Sequence, residues 1–393
     1  MKKVFLFSLF LVLGLVLSQC LLAWLGEAFL TAEKVAKTLM FVCLAFIMIN
    51  VGREFELDKT KWRSYAADYF IAMATAAVPW IMVAFYYMFL LPADLFGNWD
   101  AWKENLLLSR FAAPTSAGIL FTMLAAAGLR REWIYKKTQV LAIFDDLDTI
   151  LLMIPLQIFM IGFKWQLFAV VIVITFLLVI GWKKLGTIRL SQTWKSILFY
   201  AVCIVAVTES IYLLTKWMMG ADGAIHIEVL LPAFVLGMVM KTVHQHGNRD
   251  EKITGMISYL FMFLVGLSTP QFIGIDHGHR ITEAVGIIAA QPMPSWEVLV
   301  VHVIVVTLLS NLGKMFPLFF YRDRQLEERL ALSVGMFTRG EVGAGIIVIA
   351  MGYNLGGPAL IISVLSLVLN LLLTGGFVVI VKRLAQQAYG LKE

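Results

Sequence analysis

The 393-residue chain is 60% hydrophobic and 15% charged, with a mean hydropathy of +0.84, a composition far from that of a water-soluble domain with a single buried core. Its net charge of +6 is spread over many short loops, with no long basic run and no basic patch interleaved with aromatics, which speaks against a nucleic-acid partner. Cys20, Cys43 and Cys203 all lie in apolar stretches, so neither a disulfide framework nor a spaced metal site is supported.

In chain order, Lys2 and Lys3 precede an apolar run that continues through Cys20 to Leu25. Gln19 is too large for a usual cleavage site and the run is long enough to cross a bilayer, so it reads as an uncleaved first span. Further apolar windows fall near residues 36–52, 66–91, 105–128, 138–162, 165–182, 196–215, 226–241, 253–270, 296–321, 325–353 and 357–381. The fold class expected is an all-α polytopic membrane protein with about 12 transmembrane helices. Alternate loops test that count, because Lys and Arg concentrate on the cytoplasmic side. One set of loops holds only Lys34, Lys37, Lys103, Lys164, Lys216 and Arg280; nearly all other Lys and Arg fall in the opposite set, which includes both ends of the chain. Both termini are therefore expected in the cytoplasm. Arg110, Lys314 and Arg339 are left inside spans. No soluble regulatory domain is visible, and residues 1–393 read as a single membrane transporter domain in contact with the lipid bilayer. The longest extramembrane piece, external and running from about Pro270 to Ser295, carries His277 and His279, which titrate near neutral pH but are also common in solvated loops.

Asp145 and Asp146 stand side by side in the apolar stretch Val140–Phe163, with Asp148 one turn further on. A charge at the bilayer centre costs roughly 2.5 to 3.5 kcal/mol on the most lenient scale, so these acids need a positive partner. Asp145 is eight residues from Lys137, and Lys314 eight residues from Arg322, each measured from the cytoplasmic edge on helices running in opposite directions. At ~1.5 Å per residue both sit roughly 12 Å deep, so Asp145 and Lys314 are expected to pair. Consecutive helical residues point about 100° apart, which leaves Asp146 facing a different neighbour. Desolvation and Asp145 raise its proton affinity while Lys314 lowers it, so a proton and a small cation compete there. A hard cation such as Na⁺ takes oxygen ligands, and Thr115, Ser116 and freed backbone carbonyls supply them.

Those carbonyls are expected from two interrupted helices. Span four carries Ala113-Pro-Thr-Ser-Ala-Gly118 near its middle, and span eleven carries Thr338-Arg-Gly-Glu-Val-Gly-Ala-Gly345. One enters from outside and the other from inside, so residues 63–163 (spans three to five) and 295–383 (spans ten to twelve) are read as inverted core repeats with two crossed discontinuous helices, the remaining spans forming a scaffold. Arg339 and Glu341 either neutralise each other beside the second break or take part in gating and ion selection. Arg110, near the outer end of span four, is expected to snorkel.

The chain resembles the monovalent cation:proton antiporter superfamily, in particular its electrogenic double-aspartate branch of bacterial sodium/proton antiporters. Four stretches carry the resemblance in order, from about Phe46 to Lys382: Met48-Ile-Asn-Val-Gly-Arg-Glu-Phe-Glu-Leu-Asp58, Pro114-Thr-Ser-Ala-Gly118, Phe144-Asp-Asp146, and Lys314 with Arg339-Gly-Glu341. The resemblance implies an NhaA-like antiporter fold in the bacterial inner membrane, ion binding at Asp146, pairing of Asp145 with Lys314, an elevator-like movement against a dimerising scaffold, and a homodimer. It implies no cofactor, only transported Na⁺ or Li⁺ and H⁺, with more than one proton per cation. Two features depart from the family pattern. A single span precedes the first motif, and Asp148 is an additional acid that can hydrogen-bond to Asp145, share its lysine or relay a proton.

Other readings stand beside this one, a passive cation channel among them. An intramembrane aspartyl protease needs two acids facing each other from different helices, whereas these are adjacent on one helix, so no enzyme is expected. A sodium-coupled symporter of an organic anion on a related fold has no need of a lysine opposite a double aspartate. A K⁺/H⁺ antiporter differs only in cation radius and hydration, which residue types do not resolve.

Overall fold

In lipid an unbroken apolar run satisfies its own backbone donors and acceptors only as a helix, and helices dominate the structure. This computed structural model describes residues 2–25, 28–53, 62–116, 129, 132–161, 166–184, 186–219, 229–241, 248–268, 286–288, 290–353 and 355–390. The helices are α1 (Lys2–Leu25), α2 (Ala28–Arg53), α3 (Trp62–Phe89), α4 (Trp99–Ser109), α5 (Trp133–Ile161), α6 (Gln166–Lys183), α7 (Trp194–Met219), α8 (Leu230–Val239), α9 (Asn248–Leu267), α10 (Trp296–Gly313), α11 (Leu326–Gly335), α12 (Glu341–Gly352) and α13 (Gly357–Tyr389). Among the described residues the only β-type pairing is an isolated bridge between Ile188 and Met240.

Among the described residues, five segments are long and apolar enough to cross a membrane: Val35–Arg53, Ala66–Phe89, Trp194–Trp217, Trp296–Phe319 and Gly357–Tyr389. The second half of expected span four, residues 117–128, lies outside the described residues, as do His277, His279 and most of the long external stretch. Two expected spans in the last third of the chain are not single helices. The window 296–321 holds α10, which ends at Gly313, and a separate 3-10 turn, Phe316–Phe319, with Pro317 in its first turn. The window 325–353 is split into α11 and α12.

The chain falls into two compact units, one made of Met1–Leu21, Thr60–Met160 and Val265–Glu393, the other of Leu22–Lys59 and Ile161–Leu264. In the first, α10 packs against α3 and α13, α11 against α13, and α4 against α3. Polar side chains inside this unit find one another across helices, as they must away from water. Tyr87 Oη and Ser363 Oγ are 2.7 Å apart, Thr307 Oγ1 and Ser366 Oγ 2.8 Å, and Asn370 Nδ2 donates to Asn311 Oδ1 at 2.9 Å. In the second unit α2 packs on α7 and α8, and α6 on α8. Arg53 at the end of α2 donates there to Asn50 Oδ1 at 3.0 Å and to Gln192 Oε1 at 2.8 Å. The segment Met48–Asp58 begins in this helix, and its residues 54–58 lie outside the described residues.

Candidate ion site

Every described residue of the constellation belongs to the first unit. Helix α4 stops at Ser109, passes through a 3-10 turn at Arg110–Ala112, and becomes non-helical over residues 113–116. Pro114 helps to end the helical path, since it has no N–H to donate to a carbonyl one turn earlier. The second interruption runs from Met336 to Gly340, between α11 and α12.

The two interruptions bond to each other. Ser116 N donates to Thr338 O at 2.8 Å, Thr338 Oγ1 to Ser116 O at 3.4 Å, and Thr115 Oγ1 to Met336 O at 3.1 Å. Arg339, buried at 2% exposure, bridges them further: its Nη1 donates to Pro114 O and Met336 O, both at 3.3 Å, and its Nη2 to Ser310 O on α10 at 3.2 Å. Carbonyls freed by the breaks are thus largely engaged by the opposite segment and by one guanidinium. Gly343 keeps this contact close, because a Cβ there would lie 3.1 Å from Phe111 O in the turn that ends α4.

On α5, both carboxylate oxygens of Asp145 accept from Lys314 Nζ at 2.9 Å, and neither side chain has any exposure. Lys314 does not lie within a helix, as the sequence window suggested, but caps α10, its own N–H donating to Asn311 O at 3.1 Å. The partial negative charge of that helix end favours an ammonium. Gly313 makes the position accessible, since a Cβ on it would stand 2.5 Å from Pro79 Cα in α3. The side chains of Asp146 and Glu341 lie outside what is described, so the expected roles of both fall there too.

Arg110 overturns its sequence expectation. It does not snorkel: it is fully buried, its Nη2 donates to the Asp148 backbone oxygen at 3.0 Å and to Asp148 Oδ2 at 3.3 Å, and its guanidinium lies 4.4 Å from the centre of the Trp80 ring. Asp148 therefore answers to its own arginine rather than sharing the lysine by hydrogen bond. Arg110 and Asp148 were both visible in the sequence as charges inside spans, and counting acids against bases across spans four and five, rather than measuring each from its nearest loop, would have paired them.

The two breaks bond to each other, and in the same unit a buried carboxylate is held by a buried ammonium. Residues 2–385 match the family model described as sodium/hydrogen exchanger, transmembrane. The chain belongs to this family. It is accordingly an integral, multi-pass transporter that exchanges a cation for protons. The exchanger is similar in fold to the sodium proton antiporter MjNhaP1 from Methanocaldococcus jannaschii, with a TM-score of 0.61 and 14% identity over 98% of this chain and 92% of that one. No curated protein matches the sequence.

Proposed function

We propose that the exchanger carries Na⁺ or Li⁺ outward and H⁺ inward by alternating access, the two competing for the carboxylate of Asp146. The observation that carries this reading is the Asp145–Lys314 pair: Lys314 Nζ reaches both Asp145 oxygens at 2.9 Å, which accounts for that acid's charge. Consecutive helical residues point about 100° apart, and the reading gives Asp146 a role of its own beside that pair. Thr115 and Ser116, buried at the first break, are the candidates for further oxygen ligands. Thr115 spends its hydroxyl hydrogen on Met336 O and keeps its lone pairs.

In this reading residues 63–163 and 295–383 are the inverted repeats of a moving core, the remaining spans are scaffold and homodimer contacts, and the protein sits in the inner membrane with both termini cytoplasmic. Release of Asp145 from Lys314 during the cycle lets more than one proton move per cation, so exchange is electrogenic. The test is a pH gradient built across inside-out vesicles and discharged by added Na⁺, Li⁺ or K⁺. Wild-type protein discharges it with Na⁺ or Li⁺, and Asp146→Asn does not; a discharge that survives Asp146→Asn removes this acid from the mechanism, and one driven by K⁺ alone reassigns the cargo.

A further inference from the structure

A second ion pair stands one helical turn outward from Asp145, and neither of its members is needed to explain pairing or cation binding. Arg110 has no exposure and Asp148 only 2%. The arginine belongs to the turn that ends α4, immediately before the first break, while the aspartate shares α5 with Asp145 and Asp146. Three helices of the first unit meet at this guanidinium. It donates to both the main-chain and side-chain oxygens of Asp148 on α5, stacks on Trp80 of α3, and Trp80 Nε1 in turn donates to Leu106 O of α4 at 2.7 Å. Among the described residues its Nε and Nη1 have no hydrogen-bond acceptor, and Asp148 is the anion that pairs with it. Residues three apart on a helix are neighbours, about 5 to 6 Å between Cβ atoms, which puts Asp148 within one turn of Asp145. Charges at such separations in a water-poor interior act on one another strongly, and Asp145 interacts electrostatically with both Arg110 and Asp148.

We propose that Arg110 and Asp148 form an outer, self-neutralising charge pair that sets the local potential at the cation site, making both positioning residues for cation affinity rather than ligands. The proposal rests on the antiporter reading and adds to it. Buried together, the two charges cancel; removing either leaves a full charge of known sign beside the acids. Asp148→Asn leaves an unbalanced guanidinium, which repels a cation. Arg110→Gln leaves an unbalanced carboxylate, which attracts one. The double variant is neutral again, and Arg110→Lys keeps the charge while losing the planar fork that serves two oxygens at once.

The experiment measures Na⁺-driven proton flux in proteoliposomes at one fixed pH, with the apparent KM for Na⁺ and the maximal rate obtained separately. In parallel, the Na⁺ concentration giving half-maximal thermal stabilisation is measured on each purified protein. Asp148→Asn is expected to raise the KM by about tenfold or more with the maximal rate largely kept, and Arg110→Gln to lower it. The double variant and Arg110→Lys return it to near the wild-type value. The thermal measurement follows the same order without requiring transport. If both single variants shift KM in the same direction, if the double variant is no closer to wild type than either single one, or if only the maximal rate falls, the pair is structural and the proposal is wrong. If wild-type protein shows no Na⁺-driven proton flux while Na⁺ stabilisation still follows the sign of the charge change, the antiporter reading fails and the electrostatic assignment stands.

Discussion

Helix α5 contributes to two Asp–Lys pairs of nearly the same geometry and very different surroundings. Two turns before Asp145, Lys137 Nζ approaches the oxygens of Asp68 on α3 at 2.9 and 2.8 Å, matching the 2.9 Å contacts between Lys314 and Asp145. The deeper pair has no side-chain exposure on either partner, whereas near the helix's N-terminal end Lys137 is 19% and Asp68 5% exposed. The end pair also has company: Tyr321 Oη donates to Asp68 Oδ1 at 2.8 Å, and Lys137 Nζ lies 5.0 Å from the Tyr321 ring centre. Similar distances therefore say little about what a pair does. A partly wet pair can lose one partner and let water replace it; a dry pair that loses one leaves an uncompensated buried charge.

The sharpest way to break the comparison is to remove one lysine from each pair. Lys314→Ala leaves a buried carboxylate without its cation, and the expected loss is about 3 to 5 kcal/mol, seen as a large fall in Tm of the detergent-solubilised protein. Neutralising Asp145 as well restores a substantial part of that loss, because what destabilises is the unpaired charge rather than the missing bond. Equal Tm values for Lys314→Ala and Lys137→Ala would erase the distinction between the two sites.

A smaller perturbation moves the deep lysine without changing any charge. Gly313→Ala places a Cβ 2.5 Å from Pro79 Cα and 2.6 Å from Pro79 N, and backbone atoms yield only if α10 and α3 separate. Forced overpacking of this kind costs about 1 to 3 kcal/mol, and here it draws Lys314 away from Asp145. The expected outcome is a lower Tm and a lower exchange rate together, with the Asp68–Lys137 end unaffected. An unchanged rate would mean that the ammonium reaches its acid by side-chain length alone.

How far such contrasts could be read beforehand depends on the kind of signal. Length and hydropathy were sufficient for a helical membrane protein, and Pro114 and the glycines around Arg339 marked both interruptions, because each acts on the backbone locally. The level shared by Asp145 and Lys314 followed from counting residues inward from charged loops. That arithmetic assumes continuous helices, and it placed Lys314 inside a helix that in fact ends at Gly313. Arg110 was misread for a related reason: depth measured from the nearest loop says how far a side chain lies from water, not what lies beside it. Only a tertiary neighbour, Asp148, explains why an arginine near a span's end turns inward. The bonding of the two breaks to each other, through Ser116, Thr338 and Arg339, likewise depends on contacts between segments more than two hundred residues apart.

The smallest expected effect tests the wet end of the comparison. Asp68→Asn removes the carboxylate charge facing Lys137 but retains an oxygen that can accept from Tyr321, so one hydrogen bond to the phenol survives. Lys137 is exposed enough to turn its ammonium toward water, and pairs with such access contribute ~1 kcal/mol or less. The Tm should accordingly fall by far less than in Lys314→Ala. Salt sharpens the point: mobile ions screen charges that water can reach and leave dry pairs almost untouched. Raising ionic strength should therefore shrink the gap between wild type and Asp68→Asn while leaving the gap between wild type and Lys314→Ala in place. If the Asp68→Asn gap is instead large and indifferent to salt, the end of the helix is as dry as its middle, and the two pairs differ in position rather than in kind.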